Sequence, residues 1–183
     1  LRALAENSPI RILFGAPLAL DDPGGFTVWR TGTLVLVLVA VWALLTASRV
    51  TREDEDAGRW DLLLGGRLRT VDLVATRLGT LSAGALLSGG AVTLALIRAG
   101  TDPTGAAVHG LGVAGAGLTF VAAAVLMAQL FPNRGTVLGA SSVFVVAGIA
   151  LRMLADSIDQ MSWAAWLSPF GLNVLAGAYA YNR

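Results

Sequence analysis

Thr31-Gly-Thr-Leu-Val-Leu-Val-Leu-Val-Ala-Val-Trp-Ala-Leu-Leu-Thr-Ala-Ser48 decides the fold class, together with the segment that interrupts it, Arg49-Val-Thr-Arg-Glu-Asp-Glu-Asp-Ala-Gly-Arg-Trp-Asp-Leu-Leu-Leu64. The first run is uncharged, rich in Leu and Val, and long enough at about 17–25 residues to cross a bilayer. The second is dense in charge although only 14% of the chain is charged, against about 25% in an ordinary soluble domain. A charge block attached to a membrane anchor calls for an aqueous partner, so the segment reads as a docking element.

Three further apolar runs follow: Leu78–Ile97, between Arg77 and Arg98, then His109–Phe131 and Thr136–Leu151. The last is short for a span unless Arg152 snorkels to the interface. The expected architecture is an all-α, polytopic membrane fragment. It has an outer segment (1–30), spans at 31–48, 70–97, 109–131 and 136–152, a cytoplasmic coupling loop or helix (49–69), an outer loop (98–108), a cytoplasmic turn (132–135) and an outer re-entrant region (153–183). Orientation comes from arginine density. Arg49, Arg52, Arg59, Arg67, Arg69 and Arg77 crowd the first connection, whereas Arg98 stands alone in the next, so 49–77 is expected inside. Arg2, Arg11 and Arg30 lie on the outer side, as do the interface-loving Trp29, Trp163 and Trp166. The chain opens at Leu1 without an initiator Met and is expected to be a piece of a longer polypeptide.

Within the charged connection, Thr51 or its successors can cap a helix whose first turn holds Glu53, Asp54, Glu55 and Asp56, where the helix dipole favours carboxylates. Ala57, Trp60 and Leu64 form an apolar stripe, and Gly65-Gly66 ends the helix. Two readings stand: an interfacial helix burying Trp60 and the leucines in lipid, or a coupling helix inserted into a partner.

The order Thr51, Arg52, Glu53, Glu55, Gly58, Arg59, Asp61, Leu62, Leu63 after a span resembles the permease subunits of type-2 ABC exporters, in particular the actinobacterial antibiotic and multidrug efflux permeases of the tetronasin-export kind. Trp166-Leu-Ser-Pro-Phe-Gly171 is similar to a stretch of the same group, with Leu172 where the group often has Trp. Asn7-Ser-Pro, Phe14-Gly and Gly25-Phe-Thr-Val-Trp29 resemble its outer segment. The resemblance implies six spans per permease half, of which these four match the second to fifth, with an ABC ATPase subunit on the cytoplasmic loop. It further implies a second permease half in the same or a fused chain, ATP and Mg held by the ATPase, no cofactor bound by this chain, and a bacterial inner (plasma) membrane location. Arg52, Glu53, Glu55, Gly58, Arg59, Trp60, Asp61, Leu62 and Leu63 would form the ATPase-coupling contact. Ser168, Pro169 and Gly171 would break the re-entrant segment, for which a kinked surface helix is the alternative.

Several absences narrow the function independently. Every basic residue is Arg, so no Walker lysine is available for a phosphate-binding loop. There is no Cys and a single His, His109, which reads as a solvated interfacial residue rather than a catalytic one. The acidic quartet points in different directions on a helix and reads as solvated, not metal-binding. A net charge of +1 gives no electrostatic case for nucleic acid. The apolar runs carry no interior ionisable residue, unlike most ion-driven carriers, which points to the charged loop as the entry point for energy, with a sodium site built from backbone carbonyls as the alternative. Gly135 and Gly139 form a small-xxx-small pattern, and Gly79, Gly84 and Gly89 punctuate the second span, allowing close helix packing. Thr33, Trp42 and Thr46 are candidates for a substrate path, or ordinary packing residues. The function expected is ATP-driven export of a hydrophobic or amphipathic small molecule (an antibiotic, drug or lipid-like compound) with membrane lipid as surroundings. A non-transporting membrane subunit that recruits a soluble partner, or a secondary transporter, is the alternative.

Overall fold

The computed structural model describes residues 13–15, 17–53, 58, 65 and 69–180. Among these the regular structure is entirely helical. Helix α1 covers Pro23–Ser48 and passes into a π-helical turn, Arg49–Glu53. Then come α2 (Thr70–Arg98), α3 (Pro103–Leu130) and α4 (Arg134–Ser157), followed by a 3₁₀ segment (Asp159–Leu167) and a short helix α5 (Pro169–Leu175). The four long helices are each long and apolar enough to cross a membrane, and the chain is a multi-pass membrane protein.

The helices outrun the apolar stretches because caps, not charges, end them. Asp22 Oδ1 accepts hydrogen bonds from the Gly24 and Gly25 amides at 2.8 and 3.1 Å, ahead of Pro23 in the first turn. Asp102 caps Gly105 at 2.8 Å ahead of Pro103, so the Asp-Pro pair starts α3. Asn133 accepts from the Thr136 amide at 2.9 Å, which leaves only 131–133 between α3 and α4 and puts Arg134 and Gly135 inside α4. Helix α4 then runs 24 residues, about 36 Å at 1.5 Å per residue. Its apparent shortness came from treating Arg152 as an end.

Helix α3 is central, packing on α1, α2, α4 and α5. The core joins Leu36, Ala40, Ala43 and Leu44 of α1 to Leu81 of α2, Val113, Phe120, Val121 and Ala124 of α3, Val145 of α4 and Phe170 of α5. Without a hydrophobic drive between helices in lipid, such a core relies on close packing and on residues small enough to permit it. Gly84 receives the Trp42 ring, and Gly89 lies against Gly110 and Ala114. Thr93 Oγ1 donates across that contact to the Ala106 carbonyl at 3.3 Å. By contrast, a side chain at Gly79 or Gly139 would meet nothing within 4 Å, and one at Gly135 would meet only the neighbouring Asn133 side chain. Within the described residues, then, Gly84 and Gly89 make close helix contacts and Gly135 and Gly139 do not. Leu34, Leu38, Leu87, Leu111 and Val143 point outward, giving the bundle an apolar exterior.

Candidate functional site

Two regions at opposite ends of the bundle carry features that packing alone does not explain. The first is the root of the charged connection. The π turn after α1 touches α2, α3 and α4, so the loop springs from between all four long helices. Thr51, only 2% exposed, donates its hydroxyl back to the Ala47 carbonyl at 2.6 Å. It is thereby held inside the π turn, and any helix that Thr51 or its successors could cap lies outside the described residues. Single-turn π segments inside α-helices are frequent at functional sites. On the return, Asp72 Oδ2 accepts from the Arg69 amide at 3.1 Å and starts α2.

Between these roots, Gly58 sits in a turn at φ +70°, a conformation suited to glycine, and Gly65 is exposed in a turn. Arg52 and Glu53 belong by backbone to the π turn. Glu55, Arg59, Trp60, Asp61, Leu62 and Leu63, with the coupling helix expected around them, lie outside the described residues.

The second region is the opposite end, where α1 and α3 begin and α2 and α4 end. Arg152 of α4 is 1% exposed. Its Nε donates to Asp156 Oδ2 at 3.0 Å, and its Nη1 donates to the Leu13 carbonyl at 3.1 Å and to Thr33 Oγ1 at 2.9 Å. Arg152 therefore does not snorkel to water. It joins α4 to α1 and to the segment before α1, and the fourth apolar run is followed by a buried ion pair within the same helix. That segment is held also by Trp29, whose Nε1 donates to the Gly15 carbonyl at 2.9 Å, and by Phe14, 5.6 Å from the Trp29 ring with the Arg30 guanidinium 5.1 Å above it. Gly15 takes φ +88°, and any side chain there would strike Arg152 Nη2.

His109 is buried as well, at 3% exposure, and is not a solvated interfacial residue. It lies where α3 crosses α1, and a Cβ on Gly32 would come within 3.2 Å of its ring. Asn173 of α5 is its other neighbour, seated over Gly112. His109 Nδ1 and Asn173 Nδ2 face the same contact without a hydrogen bond of good geometry, and Arg152 Nη2 is likewise buried without one. Sequence reasoning missed this group because each residue stands near the end of an apolar run. The spacing of Arg152 and Asp156, one turn apart, was the available signal.

The Trp-Leu-Ser-Pro-Phe-Gly motif closes this end. Ser168 Oγ donates to the Gly148 carbonyl at 2.7 Å and accepts from the Phe170 and Gly171 amides at 3.2 and 3.4 Å. Pro169 occupies the first turn of α5, and Gly171 lies so close to Ala165 that a side chain would collide with its backbone. Phe170 is thereby set 5.4 Å from Phe120 in the core, while Trp163, Trp166 and Leu172 point outward. Tyr179, at φ +69°, lies over Gly24 and Gly105 and hydrogen-bonds Thr101 at 2.8 Å. Its burial raises the phenol pKa above the ordinary value.

Between the segment before α1, α1 itself and α5 lies a small open cleft of about 60 Å³. Phe14, Trp29, Leu36 and Phe170 supply apolar walls, and Thr33 and Asn173 are the polar side chains of its lining. Of the three path candidates, Thr33 lies here, while Trp42 packs against Gly84 of α2 and Thr46 lies one turn beyond Trp42. Thr33 and Trp42 are on opposite sides of α1 by helix periodicity, so the three do not line one path. Among the described residues no group of His, Cys, Asp or Glu could hold a metal ion.

No protein-family model matches the chain. It is 31% identical over 183 residues to the multidrug efflux system permease protein Rv1217c of Mycobacterium tuberculosis, an alignment covering 99% of this chain and 32% of that protein. The chain spans about a third of the length of the curated relative it matches. It is thus a relative of a multidrug efflux system permease, and the resemblance to exporter permeases read from its motifs is borne out.

Proposed function

We propose that the chain is the central part of one permease half of an ATP-driven ABC exporter in a bacterial plasma membrane, moving a hydrophobic or amphipathic small molecule outward. An ABC ATPase subunit, carrying ATP and Mg, binds the connection between α1 and α2 on the cytoplasmic side, and a second permease half completes the pathway. The observation that carries this reading is the root of that connection. A π turn with a buried threonine, in contact with every other long helix, is a stiff lever: a push on the loop reaches the whole bundle rather than bending one helix end. Glu55 and Arg59 fix the ATPase contact, Trp60 and the leucines anchor it, and nucleotide-driven movement rocks the helices as rigid bodies. The relative's description as an efflux permease supports the transport class.

Inverted membrane vesicles carrying the full-length permease and its ATPase test this with Hoechst 33342 as cargo. The expected result is ATP-dependent, vanadate-sensitive accumulation. A Glu55→Ala/Arg59→Ala double variant should lose it by about tenfold or more, as expected when charge-assisted contacts of about 1.5–3 kcal/mol are removed. Unchanged accumulation by a stably expressed double variant would overturn the assignment.

A further inference from the structure

We propose that Arg152, Thr33 and the Leu13 carbonyl form a two-state latch. It lets α1 and α4 part at the end of the bundle away from the charged connection, while the core beneath stays packed. Its use as an exit for cargo rests on the export reading; the latch itself does not.

The apolar core stops short of that end. The fully buried apolar residue nearest to it is Leu36 on α1 and Val145 on α4. Beyond them run about 20 Å of α1, back to Pro23, and about 18 Å of α4, on to Ser157, at 1.5 Å per residue. The buried residues of these two stretches are Gly24, Gly25 and Gly32 on α1, and Gly148 and Arg152 on α4. Gly24, Gly25 and Gly32 lie nearest to Tyr179, Ala19 and His109, none of them on α4. Arg152 Nη1 ties the two stretches together, donating to Thr33 Oγ1 at 2.9 Å and to the Leu13 carbonyl at 3.1 Å.

Three features suit this link to opening. The Arg152–Asp156 pair lies within α4, one turn apart, so parting the helices separates no charges and the guanidinium keeps its carboxylate in both states. The segment before α1 gives Arg152 a backbone carbonyl, while the Leu13 side chain is exposed; what lifting Leu13 releases is a hydrogen bond, not a buried apolar group. Both bonds to Nη1 are directional, so a small shift of α1 along α4 breaks them together and leaves two discrete states. A static brace needs no buried charge, since apolar side chains of similar volume commonly hold as well or better.

The test is pulsed electron-electron distance measurement on the full-length permease in nanodiscs without nucleotide, spin-labelled at Thr27→Cys and Leu154→Cys. Both positions are exposed, lie beyond the core on α1 and α4, and take no part in the latch. Leu38→Cys and Val143→Cys, exposed at the level of the core, give a reference pair. The wild type should show one short distance between 27 and 154. Thr33→Val keeps the shape and removes the acceptor; Arg152→Met/Asp156→Leu removes the latch without leaving a lone buried charge. Each should raise the population of a second, longer distance by about tenfold or more, as for the loss of a charged hydrogen bond, with the reference pair unchanged. The wild type bound to its ATPase and trapped with ATP and vanadate should reach the same longer distance. Three results would overturn the latch: one unchanged distance in both variants, equal broadening of both pairs as from a merely structural brace, or a transport-active wild type that stays short when trapped. Absence of ATP-driven transport in the wild type, with the second distance still appearing in the variants, would count against the export reading alone.

Discussion

Replacing Arg152 by Met removes a buried cation from the junction of α4, α1 and the segment before α1, and leaves a side chain of comparable length to fill the space. Three directed hydrogen bonds disappear, to Asp156, Thr33 and the Leu13 carbonyl. Asp156, with 14% of its side chain exposed, loses this ion-pair partner. Breaking one side of a buried pair costs about 3–5 kcal/mol, chiefly through the charge left behind. Removing both charges should be far milder, so Arg152→Met/Asp156→Leu is expected to recover about 2 kcal/mol or more of that loss. Arg152→Lys keeps the charge but cannot reach three acceptors from a single ammonium, and should fall between, at about 1.5–3 kcal/mol from the charged hydrogen bonds lost. The assay is reversible SDS-induced unfolding of the full-length permease in mixed micelles, read as a double-mutant cycle. A loss below about 1 kcal/mol for Arg152→Met, or a double variant no more stable than the single, would refute the buried junction.

Other outcomes follow from the packing and the turns. Gly110→Ala places a methyl against Thr93 and the Gly89 backbone and should cost about 1–3 kcal/mol by overpacking; Gly139→Ala, with nothing within 4 Å, should stay within about 0.5 kcal/mol in the same unfolding assay. Ser168→Ala removes a bond to Gly148 and the cap of α5 and is expected to cost about 1–2 kcal/mol, with protease cleavage newly appearing near 159–175. The raised phenol pKa of Tyr179 means that the folded state holds the proton more tightly than the unfolded one. The stability from this linkage is full below about pH 10, the unfolded value, and is lost as pH rises towards the folded value. A melting series from pH 8 to 11 should therefore fall more steeply for the wild type than for Tyr179→Phe, and parallel curves would contradict it.

The spanning helices were legible because lipid demands long uncharged runs, and nothing else in this composition competes with that signal. Their ends were less so: Asp22-Pro23, Asp102-Pro103 and Ser168-Pro169 start helices but were not read as caps, and Arg30 and Arg152 were misleading boundaries. Arg30 rests over the Phe14 ring on the exposed side of a continuing helix. Arg152 is tolerated inside because Asp156 one turn on, Thr33 and the Leu13 carbonyl converge on it, and the last two are distant in sequence. His109 was misplaced for the same reason, since its cover comes from Gly32 and Asn173, on other helices. The burial of Thr51 in a π turn, its hydroxyl bonded back to the Ala47 carbonyl, rests on a local competition that residue type alone does not decide. The pairing of Gly84 with Trp42, rather than a contact at Gly135 and Gly139, required knowing which helix faces meet.

The central claim is that the connection after α1 is half of a joint with an ATPase. Affinity purification of the full-length permease from native membranes, wild type beside Glu55→Ala/Arg59→Ala, tests it most directly. The account predicts that a subunit with a phosphate-binding-loop ATPase sequence co-purifies in stoichiometric amount with the wild type and is largely lost from the double variant. A wild-type preparation free of any such ATPase, or equal retention by the variant, would contradict it.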